Sequence, residues 1–281
     1  MATVEQPGTV TEASTSKFVQ AGKLRLHYNE VGTGPPILCI HGGGPGASGW
    51  SNFKGNISAL AQNNRMIMVD LPGYGDSDKP VVEKHLLTFW AGAMKDFLDA
   101  LGIESVDIIG NSMGGQTGIK LAIDYPEKVK RLVIIGSTPV QAVIMQALPL
   151  EAIRNIRGFY AGTGPSREKM RQTLQSLVYD SSFLTDDIVE ERYQAAVRPD
   201  LVEWNSHHVE PQDLYFELGQ NKAPTLIVWG QDDRAGALEV GLLMLRKFQN
   251  ARLYVFQRCG HWAHVEHRDE FNRVVLDFFN E

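Results

Sequence analysis

Short apolar runs alternate with longer amphipathic stretches along most of the chain. Lys23 to Tyr28 alternates as a strand, Gly32-Thr33-Gly34 turns the chain, and the continuous run Ile37 to Ile40 predicts a strand buried on both faces. Arg65 to Val69, Val106 to Ile109, Arg131 to Ile135, Thr225 to Trp229 and Arg252 to Phe256 repeat that signature. Helical spacing fills the intervals. From His85 to Leu101, the side chains of Leu86, Phe89, Trp90, Ala93, Phe97, Leu98 and Leu101 can share one face. Gly114 to Tyr125 is a second helix, stopped before Pro126, and Glu270 to Phe279 is a third. This rhythm predicts an α/β fold: a mostly parallel central sheet flanked by helices.

One stretch breaks the rhythm. Between Pro139 and Pro211 no strand pattern occurs, and Leu150 to Tyr160, Arg167 to Val178 and Thr185 to Val197 are spaced as helices. A structureless loop of that length is rare in a compact domain. Residues 140–210 are therefore predicted to be an inserted helical lid on a core made of residues 17–139 and 211–281. Residues 1–16 are polar and small and read as a flexible leader.

Composition narrows the classes. A chain of 281 residues, 43% hydrophobic and 21% charged, can bury a core without disulfide or metal staples. A net charge of -6 gives no support to nucleic acid or an anionic membrane as partner. Two cysteines make no disulfide framework. Cys39, inside Ile37 to Ile40, reads as a small hydrophobe. Cys259 lies two residues before a histidine, but no second Cys/His pair stands at metal-site spacing, so no zinc is expected. The N-terminus lacks the apolar core of a signal peptide, and no run of about 18 apolar residues exists. The expectation is a cytoplasmic protein without a membrane span.

The chemistry begins at Gly110-Asn111-Ser112-Met113-Gly114, directly after one predicted strand and opening a helix. A serine on such a turn is held strained with its hydroxyl exposed, and the glycines let the turn close. The Met113 N–H points where a carbonyl oxygen would become anionic. An oxyanion hole needs a second donor, and Gly43, in His41-Gly42-Gly43-Gly44 after the preceding strand, is assigned to it. His41 reads as a structural residue of that loop. Gly44-Pro45-Gly46-Ala47-Ser48-Gly49 imitates a dinucleotide fingerprint with Asp70 downstream. Its glycines start too far past the strand, however, and Pro45 lacks a donor that phosphate would need.

Ser112 needs a base to take its proton, and the base needs an acid. Serine hydrolases with such an elbow carry the acid and then the histidine later in the chain. Gly230-Gln231-Asp232-Asp233-Arg234 follows a strand, and Asp233 is preferred over Asp232 as the acid. Cys259-Gly260-His261-Trp262 follows the last strand, and His261 is the expected general base.

With these residues in place, the chain resembles the meta-cleavage product hydrolases, α/β-hydrolases that cleave a carbon–carbon bond in ring-opened aromatic compounds. The resemblance spans nearly the whole chain after the leader. It rests on His41-Gly42-Gly43-Gly44-Pro45-Gly46-Ala47 with Trp50-Ser51-Asn52, on Gly110-Asn111-Ser112-Met113-Gly114-Gly115, and on Cys259-Gly260-His261-Trp262-Ala263. It implies the α/β-hydrolase fold, a 2-hydroxy-6-oxo-hexa-2,4-dienoate substrate with an aryl or alkyl group at C6, no cofactor or metal, and a homo-oligomer. It implies that Arg192 pairs with the substrate carboxylate, that Gly44, Asn52, Asn111 and Trp262 line the dienoate site, and that Ser182 is a further contact. The family often has bulky apolar residues after the acid, whereas this chain reads Ala235-Gly236-Ala237, which is expected to leave room on the acyl side and so to favour an aryl group at C6. An ester or lactone hydrolase on the same fold is the alternative.

Overall fold

The structure is a computed structural model and describes residues 10–140, 151–207, 209 and 211–281. Eight strands form one sheet: β1 (Ser16–Ala21), β2 (Leu24–Val31), β3 (Pro36–Ile40), β4 (Arg65–Val69), β5 (Val106–Asn111), β6 (Val129–Ile135), β7 (Thr225–Gly230) and β8 (Ala251–Phe256). Their spatial order is β1-β2-β4-β3-β5-β6-β7-β8; β2 runs antiparallel to both β1 and β4, and every later pair is parallel.

The helices before the insertion are α1 (Glu12–Thr15), α2 (Gly49–Phe53), α3 (Ile57–Leu60), α4 (Leu86–Ala100) and α5 (Met113–Asp124). Those within it are α6 (Glu151–Gly158), α7 (Arg167–Ser176), α8 (Asp186–Ala196) and α9 (Pro199–Ser206). After it come α10 (Leu238–Lys247), α11 (Ala263–Glu266) and α12 (Arg268–Phe279).

Strand geometry sends alternate side chains to opposite faces, and the two faces carry separate cores. Leu38, Ile40, Ile108, Ile134 and Ile227 pack with Trp90, Phe97 and Ile119 of α4 and α5. Their neighbours Ile37, Cys39, Ile109, Val133 and Val228 pack with Trp50, Phe53, Phe271 and Val275 of α2 and α12. Cys39 and Cys259 are buried free thiols within this second core.

The insertion has its own small core of Phe159, Met170, Leu174, Val178, Leu184 and Val189. Its two ends meet where Leu214 N–H donates to Pro139 O at 2.9 Å. Leu150, which begins one of the expected helices, lies outside the described residues, as do residues 141–149 and His208.

Residues 1–9 lie outside the described residues, and Glu12–Thr15, expected within a flexible leader, forms a short helix against the sheet edge. Thr11 caps α1, and the buried Asn29 donates through Nδ2 to Glu12 O at 2.8 Å. Strand β1 escapes sequence reading because it is an edge strand with only Ala21 buried, which leaves almost no alternation.

A buried polar knot ties this edge to the loop after β4. His27 Nδ1 lies 2.7 Å from Asp70 Oδ2, while Asp70 Oδ1 accepts from Gly49 N–H at 2.7 Å. Burial alone would lower the His27 pKa, but the bond to Asp70 outweighs it and raises the pKa. Burial likewise opposes ionisation of Asp70, and His27 overcomes it. A raised folded pKa stabilises fully below the ordinary histidine value of about 6.5 and is lost as pH rises through the folded value. Asp70 acts only at the acid end, since its contribution is lost as pH falls below about 4. Wild type is therefore expected to lose more urea stability between pH 6 and pH 9 than His27→Gln does. Equal losses in the two proteins would refute the linkage.

Candidate active site

The site is assembled at the carboxyl ends of β3, β5, β7 and β8, where an open parallel sheet offers loops to a ligand. Ser112 stands between β5 and α5 with φ 53° and ψ -115°, a strained conformation for a residue with a Cβ. The flanking glycines are sterically required. A Cβ on Gly114 would stand 2.0 Å from Ile40 O, and one on Gly110 would stand 2.6 Å from Gly114 C. The turn is pinned by Ser112 N–H donating to Ile135 O at 2.7 Å.

Asp233 and His261 arrive on the loops after β7 and β8. His261 Nδ1 is 2.8 Å from Asp233 Oδ2, and both side chains are buried. Asp233 Oδ1 accepts from the N–H groups of Ala235 and Gly236 at 2.7 and 3.0 Å, which fixes the carboxylate. Asp232 makes no such contact; its N–H donates to Cys259 O at 2.9 Å. His261 N–H donates to Leu177 O at 2.8 Å, so the insertion helps seat this loop. Among the described residues no hydrogen bond joins Ser112 Oγ to His261; such bonds commonly tighten only around substrate.

Two residues that sequence reading passed over shape this pair. Gly136, at φ 55°, leaves the space in which the pair sits: a Cβ there would be 2.7 Å from His261 Nδ1 and 3.0 Å from Asp233 Oδ2. Glu266 accepts from Gly260 N–H and Tyr179 N–H, both at 2.7 Å, and so clamps the histidine loop to the insertion. A glycine ending a buried strand was the available signal for Gly136; Glu266 gave none, because its partners are backbone N–H groups, one of them 87 residues away.

The glycine loop after β3 lies against the elbow. A Cβ on Gly43 would be 2.8 Å from Met113 Sδ, and one on Gly42 would be 2.9 Å from Asn111 Oδ1 and 3.5 Å from Ser112 Cβ. Among the described residues neither Gly43 N–H nor Met113 N–H has a hydrogen-bond partner, leaving two adjacent donors beside the serine. His41 is fully buried and structural. Its Nε2 accepts from Leu71 N–H at 3.0 Å and its Nδ1 lies 2.8 Å from Gly42 O, while burial lowers its pKa and keeps it neutral.

Beyond the loop opens a cavity of about 360 Å³ lined by Trp50, Asn52, Leu174, Arg192, Trp262 and His264, among others. Ser112 lies outside its wall, with Gly42 between: Gly42 N–H donates to Asn52 Oδ1 at 3.2 Å. Arg192 reaches in from α8, donating through Nε to Pro45 O at 2.7 Å and through one terminal nitrogen to Ser51 Oγ at 2.8 Å. Among the described residues no carboxylate forms a salt bridge with it. Desolvation lowers its pKa to about 10, so it remains a cation at neutral pH. A Cβ on Gly44 would approach the other terminal nitrogen to 3.5 Å. Asn111 is buried, donating through Nδ2 to Ile135 O at 3.4 Å.

Two expectations need correction. Ser182 is exposed on a turn with its N–H donating to Asp180 Oδ1 at 2.8 Å; its neighbours Phe183 and Leu184 line the cavity, and Ser182 does not. Nor does Ala235-Gly236-Ala237 open a pocket. A Cβ on Gly236 would meet Thr138 Cγ2 at 2.8 Å and Trp229 Cζ2 at 3.1 Å, and Gly236 O accepts from Trp229 Nε1 at 3.0 Å. Ala235 is buried with Ala152 and Leu177 against Ile153, Ile156 and Trp262. The tryptophan and the insertion occupy the volume that the small side chains release.

Residues 35–268 match the α/β hydrolase fold family. The chain is 39% identical, over 97% of its length and 99% of the relative's, to the 2-hydroxy-6-oxo-6-phenylhexa-2,4-dienoate hydrolase of Comamonas testosteroni. It is 40% identical, over 96% of both, to the 2-hydroxy-6-oxononadienedioate/2-hydroxy-6-oxononatrienedioate hydrolase of Paraburkholderia xenovorans. A solved meta-cleavage product hydrolase from Pseudomonas fluorescens superposes with a TM-score of 0.86 at 32% identity, covering 95% of this chain and 98% of that one. This chain belongs to the meta-cleavage product hydrolases of the α/β-hydrolase family. As a hydrolase of that family it carries its serine elbow, acid–histidine pair and glycine loop on one end of the sheet. Among the described residues no helix is long and apolar enough to cross a membrane.

Proposed function

We propose that this hydrolase cleaves the C5–C6 bond of a 2-hydroxy-6-oxo-hexa-2,4-dienoate carrying an apolar, preferably aryl, group at C6. The observation that carries the reading is Arg192: a cation with no carboxylate salt bridge among the described residues, in a cavity one glycine loop away from the elbow serine. A desolvated guanidinium matches a carboxylate in shape and charge, and a neutral ester has no use for it.

In this reading the dienol first becomes a ketone as its hydroxyl proton moves to C5. Asn52, Asn111, Gly44 and Trp262 hold the dienoate beside Arg192. Ser112 Oγ attacks the C6 carbonyl while His261 takes its proton, and Asp233 holds the imidazole through Nδ1 and stabilises its charged form. The N–H groups of Gly43 and Met113 bind the oxyanion. When the C5–C6 bond breaks, its electron pair flows through C4 and C3 to the 2-oxo oxygen, which takes the proton from His261. A 2-hydroxypenta-2,4-dienoate leaves. Neutral His261 then activates water, which releases the C6 acid from Ser112.

The two groups of relatives differ in what C6 bears in their names, phenyl or a chain ending in a second carboxylate. Beside Asp233 and His261 this chain packs the apolar residues Ala152, Ile153, Ile156, Leu177 and Ala235, and a C6 group reaches that side only by lying against them. Arg234, which adjoins Ala235 in the chain, is already paired with Glu151 and with Gln175 O and Val178 O. An apolar wall favours a ring by about 25 cal/mol per Å² buried and leaves a second carboxylate uncompensated. Loss of visible absorbance on mixing with C6-phenyl and C6-carboxyethyl dienoates tests both parts. Turnover of the phenyl substrate with at least tenfold higher kcat/KM is expected; no turnover of either dienoate would overturn the function, and a preference for carboxyethyl would overturn the C6 assignment.

A further inference from the structure

A buried polar chain runs from the last helix to the glycine loop. Asn56 Nδ2 donates to Asn272 Oδ1 of α12 at 2.8 Å and to His264 O at 3.1 Å, which fixes the backbone of His264. The His264 ring is fully buried between Phe53 and Phe271, at centroid distances of 5.2 and 6.0 Å. Its Nε2 lies 3.1 Å from Asn52 Nδ2, and Asn52 Oδ1 accepts from Gly42 N–H at 3.2 Å.

The backbone donor at Gly42 dictates every orientation in this chain. Gly42 N–H can face only the Asn52 oxygen, so the Asn52 NH₂ group faces the imidazole, and Nε2 must be the unprotonated nitrogen. Burial, aided by nearby His261, lowers the His264 pKa to about 3, so that lone pair is available across the working range. The proton then sits on Nδ1, which is buried without a hydrogen-bond partner among the described residues. An orphaned buried donor destabilises a fold, so packing alone does not account for a histidine here.

We infer that His264 is a positioning residue for the oxyanion hole: by accepting from Asn52 it locks the amide that holds Gly42, and so aims the adjacent Gly43 N–H at the reacting carbonyl oxygen. This rests on the reading of Gly43 as an oxyanion donor. Without the acceptor, Asn52 is free to rotate, Gly42 loses its anchor, and the donor next to it is no longer preorganised.

The test uses His264→Leu, which fills the space without an acceptor, and His264→Gln, whose side-chain carbonyl restores one. Loss of a whole oxyanion donor costs about 10²–10³ in kcat. Misalignment of one is expected to lower kcat of His264→Leu by about 10–100-fold, with KM changed by less than about threefold. Affinity for phenylboronic acid, which forms a tetrahedral anion on a catalytic serine, should fall by a similar factor. The melting temperature should hold or rise, because the orphaned donor is gone, and His264→Gln should recover most of kcat. In combination with Asn52→Ala, His264→Leu should add no further loss. Unchanged kcat and boronate affinity in His264→Leu would overturn the inference, as would multiplying losses in the double variant. A fall in melting temperature that Gln reverses without restoring kcat would reduce His264 to a packing residue. If wild type hydrolyses p-nitrophenyl esters but no dienoate, the proposed substrate falls while the same series on the ester still decides the role of His264.

Discussion

Ser112→Ala is expected to lower kcat by about 10⁶ while leaving dienoate binding largely intact, since removal of a triad nucleophile leaves only the residual effect of the oxyanion donors and binding. The reason lies in how the site is divided. The cavity with Arg192, Asn52 and Trp262 is formed without Ser112, which stands across Gly42 from it. The hydroxyl therefore supplies the attacking atom and little of the affinity. Stopped-flow turnover against the C6-phenyl dienoate gives the first quantity, and spectral titration of the inactive protein gives the second. Residual kcat above about a thousandth of wild type would show that another nucleophile works. A Kd raised more than about tenfold would show that the serine is needed to shape the binding site.

Arg192→Gln should discriminate between substrates. With a dienoate, kcat/KM is expected to fall by roughly 150- to 4,000-fold, because removing one partner of a desolvated charge pair costs about 3–5 kcal/mol. With a neutral aryl ester the fall should stay within about tenfold. In the free protein the guanidinium is already oriented by Pro45 O and Ser51 Oγ, and no carboxylate of the described residues forms a salt bridge with it. Lysine at this position should rescue only partly, since it keeps the charge and loses the planar fork. Equal falls for the two substrate classes would mean that Arg192 only braces α8 against the glycine loop, and the carboxylate assignment would fail.

Much of this site is legible in the chain because its requirements are local. A serine between glycines after a buried strand needs no tertiary information to be seen as an elbow; φ 53° at Ser112 and the contacts that a Cβ on Gly114 would make are what that local sequence is for. The same holds for Gly43, and for Asp233 and His261, each on a loop directly after a strand. The strands themselves are legible because burial on both faces demands unbroken apolar runs, as in β5 and β7.

What failed to show in the sequence depends on neighbours far along the chain. Strand β1 pairs at the sheet edge with most side chains in water, so hydrophobic pattern carries no trace of it. Ala235-Gly236-Ala237 looks like open space until Trp229 and Thr138 are seen to fill it. Ser182 resembles a contact by its place in the sequence and is turned to solvent by a local bond to Asp180. His264 lies three residues after His261 and 212 residues from Asn52, and only the packing of α11 against the loop around α2 brings them to 3.1 Å. The sequence by itself determined the strands from β2 to β8, the elbow and the order of the proposed reacting groups, because strand burial and turn strain are set by adjacent residues. Tertiary structure alone decided which volumes are filled, which cation has no carboxylate salt bridge among the described residues, and which buried hydrogen bonds hold the glycine loop, because each of those depends on residues that meet only when the chain has folded.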